Sequence, residues 1–226
     1  MTYLTRISTF IFALAVSCLL STPAKGQQRK HVLSSDSTAW LQGLEVSADL
    51  VGPVMKAIGD YGHIEGALRI NLKDRYFPVF ELGYASCDHT EKTTSVNYQT
   101  KAPYGKVGID FNILKDKRDI YRLYIGARYA LTSFKADYSA PPVEDPIWRG
   151  TSEWAEKDMK CKYHWLEAVA GIQAKIWGPI DLGWSARYLK RLSYSEGDYS
   201  RAWYVPGYGK SGNSNFIATF NIIFGI

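Results

Sequence analysis

Residues 105–114 read "GKVGIDFNIL". Val107, Ile109, Phe111 and Ile113 alternate there with Lys106, Gly108, Asp110 and Asn112. Side chains of a strand point to opposite faces with period two, so this is a strand whose faces meet different surroundings. The same alternation recurs over about 40–50, 61–72, 77–86, 104–114, 120–130, 163–177, 180–192 and 213–226. That predicts eight strands, each near the ~9–11 residues a tilted strand needs to cross a bilayer. The best helical candidate is short, "PVMKAIGD" (53–60), in the first connection.

The connections alternate in length. "KDRY" (73–76), "KDKRD" (115–119) and "GP" (178–179) are short, while the long loops run over 86–103, 131–162 and 193–212. Short turns at one end and long loops at the other are the mark of an up-and-down barrel in an outer membrane.

Which face meets which solvent follows from the charges. One face collects Leu44, Val46, Ile64, Leu68, Phe80, Leu82, Val107, Ile109, Leu123, Ile125, Ile172, Trp184, Phe220 and Ile222, and carries no charge at mid-strand. The other holds Glu45, Asp49, Glu65, Glu81, Asp110, Glu167 and Asp181 against Arg69, Lys106, Arg122, Arg128, Lys175 and Arg187. A soluble barrel would turn the charged face outward. Against that, Gly43, Gly83, Gly108, Gly126, Gly171 and Gly183 share the charged face, where small residues relieve crowding inside a bore just wide enough for side chains. Aromatic residues also gather near the ends of the strands: Trp40, Phe77, Tyr121, Trp177 and Phe224 at the short-turn end, and Tyr61, Tyr84, Tyr104, Tyr129, Tyr163, Tyr188 and Phe216 at the other. Two such girdles suit membrane interfaces. The reverse orientation in lipid fails on magnitude, since each Lys or Arg at the midplane would cost about 2–4 kcal/mol. The fold expected is therefore all-β: an eight-stranded antiparallel up-and-down transmembrane barrel of outer-membrane type.

The chain of 226 residues opens with a basic n-region ending at Arg6, an apolar run over 7–20 and the small-residue stretch "AKG" before Gln27. This pattern predicts a secretory signal peptide over 1–26, too short to span as a helix. A flexible N-terminal segment over 27–39 and the barrel over 40–226 would follow. The location expected is the outer membrane of a Gram-negative bacterium. The net charge of +5 comes with no Lys/Arg run, which argues against nucleic acid as a partner. The partners expected are outer-membrane lipid, lipopolysaccharide and the barrel-assembly machinery, around a monomer.

The segment "IEGALRINLKDRYFPVFELGYA" (64–85) resembles the uncharacterised outer-membrane barrels of Bacteroidetes, with Glu65, Arg69, Phe77, Pro78, Glu81 and Gly83 in the recurring places. In architecture the whole mature chain resembles the small OmpX/OmpA-type barrels. The terminal strand "NFIATFNIIFGI" is similar to the signal read by the assembly machinery, although it ends in Ile226 with Phe224 third from last. The resemblance implies a fold and a location, and no activity.

Glu45, Glu65, Arg69, Glu81, Asp110, Arg122, Arg128, Glu167 and Arg187 are expected to form a lumen charge network. Eight strands leave no aqueous channel, so such ions fill the bore structurally. Trp148, Trp154, Trp203 and Tyr204 in the long loops are candidates for surface recognition. A lipid-modifying enzyme of lipid A deacylase or acyltransferase type is the alternative class. However, "HTE" (89–91) and "HWLE" (164–167) place no Ser beside a His, and no catalytic residue can be assigned. No metal-ligand spacing or phosphate-binding glycine loop is found, so no cofactor is expected. Cys87 and Cys161 remain after signal removal. An oxidising compartment favours a bridge between them, while their places on distant strands oppose one.

Overall fold

Eight long strands close into one antiparallel barrel: β1 (Leu41–Asp49), β2 (Tyr61–Leu72), β3 (Tyr76–Thr90), β4 (Asn97–Asn112), β5 (Tyr121–Ser139), β8 (Ala155–Trp177), β9 (Ile180–Ser195) and β12 (Ser214–Gly225). Each pairs with its neighbour in sequence, and β12 pairs with β1 through Val46↔Phe224 and Ala48↔Ile222 to close the ring. Two small hairpins sit in long connections: β6 (Val143–Glu144) with β7 (Thr151–Ser152), and β10 (Tyr204–Val205) with β11 (Gly209–Lys210). The structure, a computed structural model, describes residues 40–114, 120–144, 150–196 and 201–226. The expected signal peptide and N-terminal segment, the 115–119 turn, His31 and Trp148 lie outside the described residues.

The short helix expected in the first connection is α1 (Val51–Ile58). The Asp49 carboxylate at the end of β1 accepts from the Gly52 backbone N–H at 2.7 Å, serving one of the orphan donors of the first turn. At the opposite end, the β2–β3 turn holds Lys73 and Asp74 both at positive φ (55° and 54°). They are the central pair of a turn closed by the Arg75 N–H donating to the Leu72 carbonyl at 3.1 Å, and a primed turn requires positive φ at both central residues. Asn71 steadies it, its side-chain oxygen accepting from the Asp74 N–H at 2.9 Å.

Several strands run further than the alternation of apolar-outward residues predicts. β3 continues past 86 to Thr90, β4 begins at Asn97, β5 continues to Ser139 and β8 begins at Ala155, all at the long-loop end. There the alternation persists with its phase inverted. Cys87, Tyr98, Phe134, Ala136, Met159 and Cys161 face inward and are buried, while Lys101, Ser133, Lys135 and Lys160 face outward and are exposed. A strand stacked above the membrane meets water outside and a dry core inside, which is the pattern of a soluble sheet.

Below that level the apolar side chains point outward. Leu82 is 74% exposed and Ile64 60%, with Phe80, Val107 and Ile125 beside them on neighbouring strands. Inside, glycines make room. A Cβ on Gly126 would lie 2.0 Å from Asp110 Oδ1, and one on Gly83 would lie 2.3 Å from Tyr104 Cζ. Four of the expected girdle aromatics are instead inward. Phe77, Tyr104 and Tyr163 are buried, and Tyr61 packs at 5.2 Å on Tyr204. Each shares the parity of a lumen charge on its own strand (Glu81, Lys106, Glu167 and Glu65), and parity decides the face whatever the residue type. Tyr84, Tyr121, Tyr129, Tyr188 and Phe216 do face outward.

Candidate functional site

The bore is filled by ions held on seven of the strands. Arg187 of β9 sends Nη1 to Glu81 Oε2 at 2.8 Å, Glu65 Oε1 at 3.1 Å and Glu167 Oε2 at 3.5 Å. Arg128 of β5 donates Nε to Glu81 Oε1 at 2.7 Å and Nη2 to Asp110 Oδ2 at 3.0 Å. Asp110 also takes Arg69 Nη2 at 3.1 Å, and Arg69 reaches Glu45 at 3.5 Å. Arg122 closes the short-turn end, 2.7 Å from Glu45 Oε1 and with its guanidinium 4.1 Å over the Phe77 ring. All nine residues expected in the network are thus brought together.

A tenth member is Lys106, which its parity puts on the lumen face but which the expected network omits. Its Nζ lies 2.9 Å from Glu65 and 3.0 Å from Glu167, linking β4 to β2 and β8. With it, five bases face five carboxylates, so the buried set is neutral as a whole. Neutral side chains complete the shell. Tyr104 OH donates to Glu65 at 2.8 Å, Trp165 Nε1 to Glu167 at 2.8 Å, and Gln173 accepts from Arg69 and Arg122 at 3.2 Å each. Asp181 and Lys175, read as lumen charges, stand apart: Asp181 takes Gln173 Nε2 at 2.8 Å, and Lys175 is exposed near the short-turn end.

Above the ions the last long connection folds into the mouth. Tyr204, Val205 and Tyr208 are buried against Tyr98 and Trp165. Tyr98 OH donates to the Tyr204 carbonyl at 2.7 Å, and Tyr138 OH donates to that of Arg201. Gly207 sits at φ +78° with a Cβ site 2.5 Å from the Tyr104 ring, so both backbone and space demand glycine there. Tyr204, expected at the surface, is therefore 2% exposed and part of a plug. The reason is burial: its ring and Val205 leave water for an aromatic core. Trp203 is half-buried, stacked on His89 at 4.0 Å, and Trp154 is 46% exposed.

Cys87 and Cys161 are both buried and are not joined by a disulfide, so the bridge considered from sequence is not formed. β4 and β5 separate their strands, and Tyr98 of β4 shares their buried cluster. Burial pushes the Cys87 thiol up to about 12, with the carboxylates of Asp60 and Asp88 adding to the shift.

The three histidines among the described residues are tied to other groups. His63 Nε2 is 3.2 Å from Asp49, His89 Nδ1 is 2.8 Å from Asp60, and His164 Nδ1 shares a 2.8 Å hydrogen bond with Tyr129 OH. Ser193 is the cross-strand neighbour of His164, yet among the described residues no serine is hydrogen-bonded to a histidine. Nor do the described residues hold a cluster of His, Cys, Asp and Glu that could grip a metal ion.

Among the described residues, two cavities lie at the long-loop end. One of about 240 Å³ lies between the ions and the plug, bounded by Met55, His63, Tyr104 and Phe216. The other, of about 440 Å³, is on the outer side of the plug, among Arg191, Glu196, Arg201 and Lys210.

A family profile described as a domain of unknown function (DUF6048) matches residues 3–225. No curated protein matches. Among solved structures, the chain is similar to neisserial surface protein A at 13% identity and TM-score 0.41, covering 81% of this chain and 97% of that one. It is also similar to a major outer membrane protein from Thermus thermophilus at 11% identity and TM-score 0.45, covering 81% and 98%. A third likeness is to the N-terminal β-barrel domain of Pseudomonas aeruginosa OprF, at 9% identity and TM-score 0.33, covering 81% and 97%.

Proposed function

The chain belongs to the family described as a domain of unknown function (DUF6048), and from its geometry we propose an outer-membrane barrel of structural or surface-recognition type that conducts nothing through its bore. The observation that carries this is the inside-out distribution of polarity, with ten paired ionic groups within and an uncharged apolar belt without. An exposed apolar surface wrapping a whole barrel far exceeds the few hundred Å² that water tolerates. The height of the belt fits a membrane. From Tyr121 to Tyr129 the outward face of β5 rises ~26 Å along the strand, or roughly 20 Å along the normal at the usual tilt, near the ~25 Å apolar band of such barrels.

In this arrangement the short turns lie in the periplasm and the plugged mouth faces outward. The neighbours are outer-membrane lipids, with lipopolysaccharide around the mouth, and the assembly machinery during insertion. The likeness of residues 64–85 to Bacteroidetes barrels supports a Gram-negative source of that kind. The test is electrical. Purified protein added to a planar bilayer should insert without producing stable current steps, because ions fill the bore and the plug covers it. Uniform steps that persist in a heat-stable folded fraction would overturn the proposal.

A further inference from the structure

The cavity of about 440 Å³ at the outer mouth lies within the ~300–1,000 Å³ of ordinary ligand sites. Its chemistry differs from that of the bore. Among the described residues, three cations, Arg191, Arg201 and Lys210, line it with one carboxylate, Glu196. Glu196 is already engaged, accepting from Tyr163 OH and from the Ala202 N–H at 3.2 Å. Among the described residues none of the three cations has a carboxylate within ion-pair distance, whereas the bases of the bore are paired.

Two of the three cations rest on aromatic rings, with no carboxylate of the described residues within ion-pair distance. The Arg191 guanidinium lies 4.1 Å over the Tyr194 ring and Lys210 Nζ lies 5.1 Å over Trp203. Cation–π contact of this kind fixes a charge in place and leaves it free to attract an anion. The platform beneath is tied by hydrogen bonds. The Ser211 N–H donates to the Trp203 carbonyl at 2.9 Å, and Tyr138 OH pins the Arg201 carbonyl. A preorganised site loses less entropy on binding.

We propose that this basin binds an acidic saccharide, a sugar carrying phosphate or carboxylate. The charges select the anion, the exposed Tyr194 ring offers an apolar face to the sugar, and the Ser211 hydroxyl and the plug backbone offer hydrogen bonds. The proposal rests on the reading of the long-loop end as the outer face. Such a sugar reaches that face either as a lipopolysaccharide headgroup or as free acidic polysaccharide.

The full chain, folded in detergent, is titrated with three probes: lipid-free phosphorylated core oligosaccharide, oligogalacturonate and neutral dextran. Calorimetry and tryptophan fluorescence follow binding. Either acidic probe should bind, dextran should not, and added salt should weaken the affinity. Which acidic probe binds more tightly identifies the source. The triple variant Arg191→Gln, Arg201→Gln, Lys210→Gln should lose at least tenfold in affinity, and its folding is checked by unchanged heat-modifiable migration. If neither acidic probe binds, if dextran binds equally, or if the triple variant binds like wild type, the basin is not such a site. The same samples are tested for conductance. A folded, non-conducting barrel that binds no sugar refutes this inference alone, while current steps refute the proposed function itself.

Discussion

Glu81→Ala should destabilise the folded barrel by about 3–5 kcal/mol, the range for removing one partner from a buried ionic set. Glu81 is 1% exposed and stands where three cations converge: Arg128 at 2.7 Å, Arg187 at 2.8 Å and Lys106 at 3.8 Å. Alanine leaves five bases facing four carboxylates in a buried bore that screens them poorly. In detergent, the urea midpoint should fall by roughly 2 M for a typical dependence of stability on urea. The double variant Glu81→Leu, Arg128→Leu restores the balance, and it should lie closer to wild type than the single variant does. An unchanged midpoint for Glu81→Ala would show that this carboxylate does not carry the network.

Ile125→Arg should be the next most damaging change. Ile125 sits on the outward face of β5, midway between Tyr121 and Tyr129, with Phe111 and Ala170 opposite it on the adjoining strands. A guanidinium at the bilayer midplane costs about 2–4 kcal/mol, and near the interface ~0–1 kcal/mol. Ser133→Arg, on the same outward face but above the aromatic girdle, is the internal control and should be nearly neutral. The readout is the fraction folded in lipid vesicles across a urea series. Equal effects at 125 and 133 would mean that both positions meet the same solvent.

Strand number, pairing order and the assignment of faces were legible in the sequence, because a period of two leaves only the phase to be found. Charges at Lys106 and Asp110 fixed that phase on β4, and Glu65, Arg69 and Glu81 fixed it on β2 and β3. Reading the aromatic residues by type obscured the same information. Phe77, Tyr104 and Tyr163 share parity with lumen charges, so counting from Glu81, Lys106 and Glu167 would have turned them inward. Lys106 belonged in the ion network on the same ground.

The strand extensions were hidden for a different reason. Past Tyr84 and Tyr129 the exterior changes from lipid to water, the polarity pattern inverts, and the stretches ceased to match the template of apolar-outward residues. The plug had no periodic signal at all. "AWYVPGYG" (202–209) becomes a lid because Tyr98, Tyr61 and Trp165, distant in sequence, present an aromatic floor to it. The basic basin depends on that lid and could not be read from linear order.

An apolar belt embedded in lipid is read out by depth-resolved fluorescence quenching. A single fluorescent label is placed at Ile125→Cys in a chain whose Cys87 and Cys161 are replaced by alanine, reconstituted in vesicles. Lipids carrying a nitroxide deep in the acyl chain should quench it strongly, lipids labelled at the headgroup weakly, and aqueous iodide hardly at all. Strong quenching by iodide with none from the acyl-chain nitroxide would place the belt in water instead.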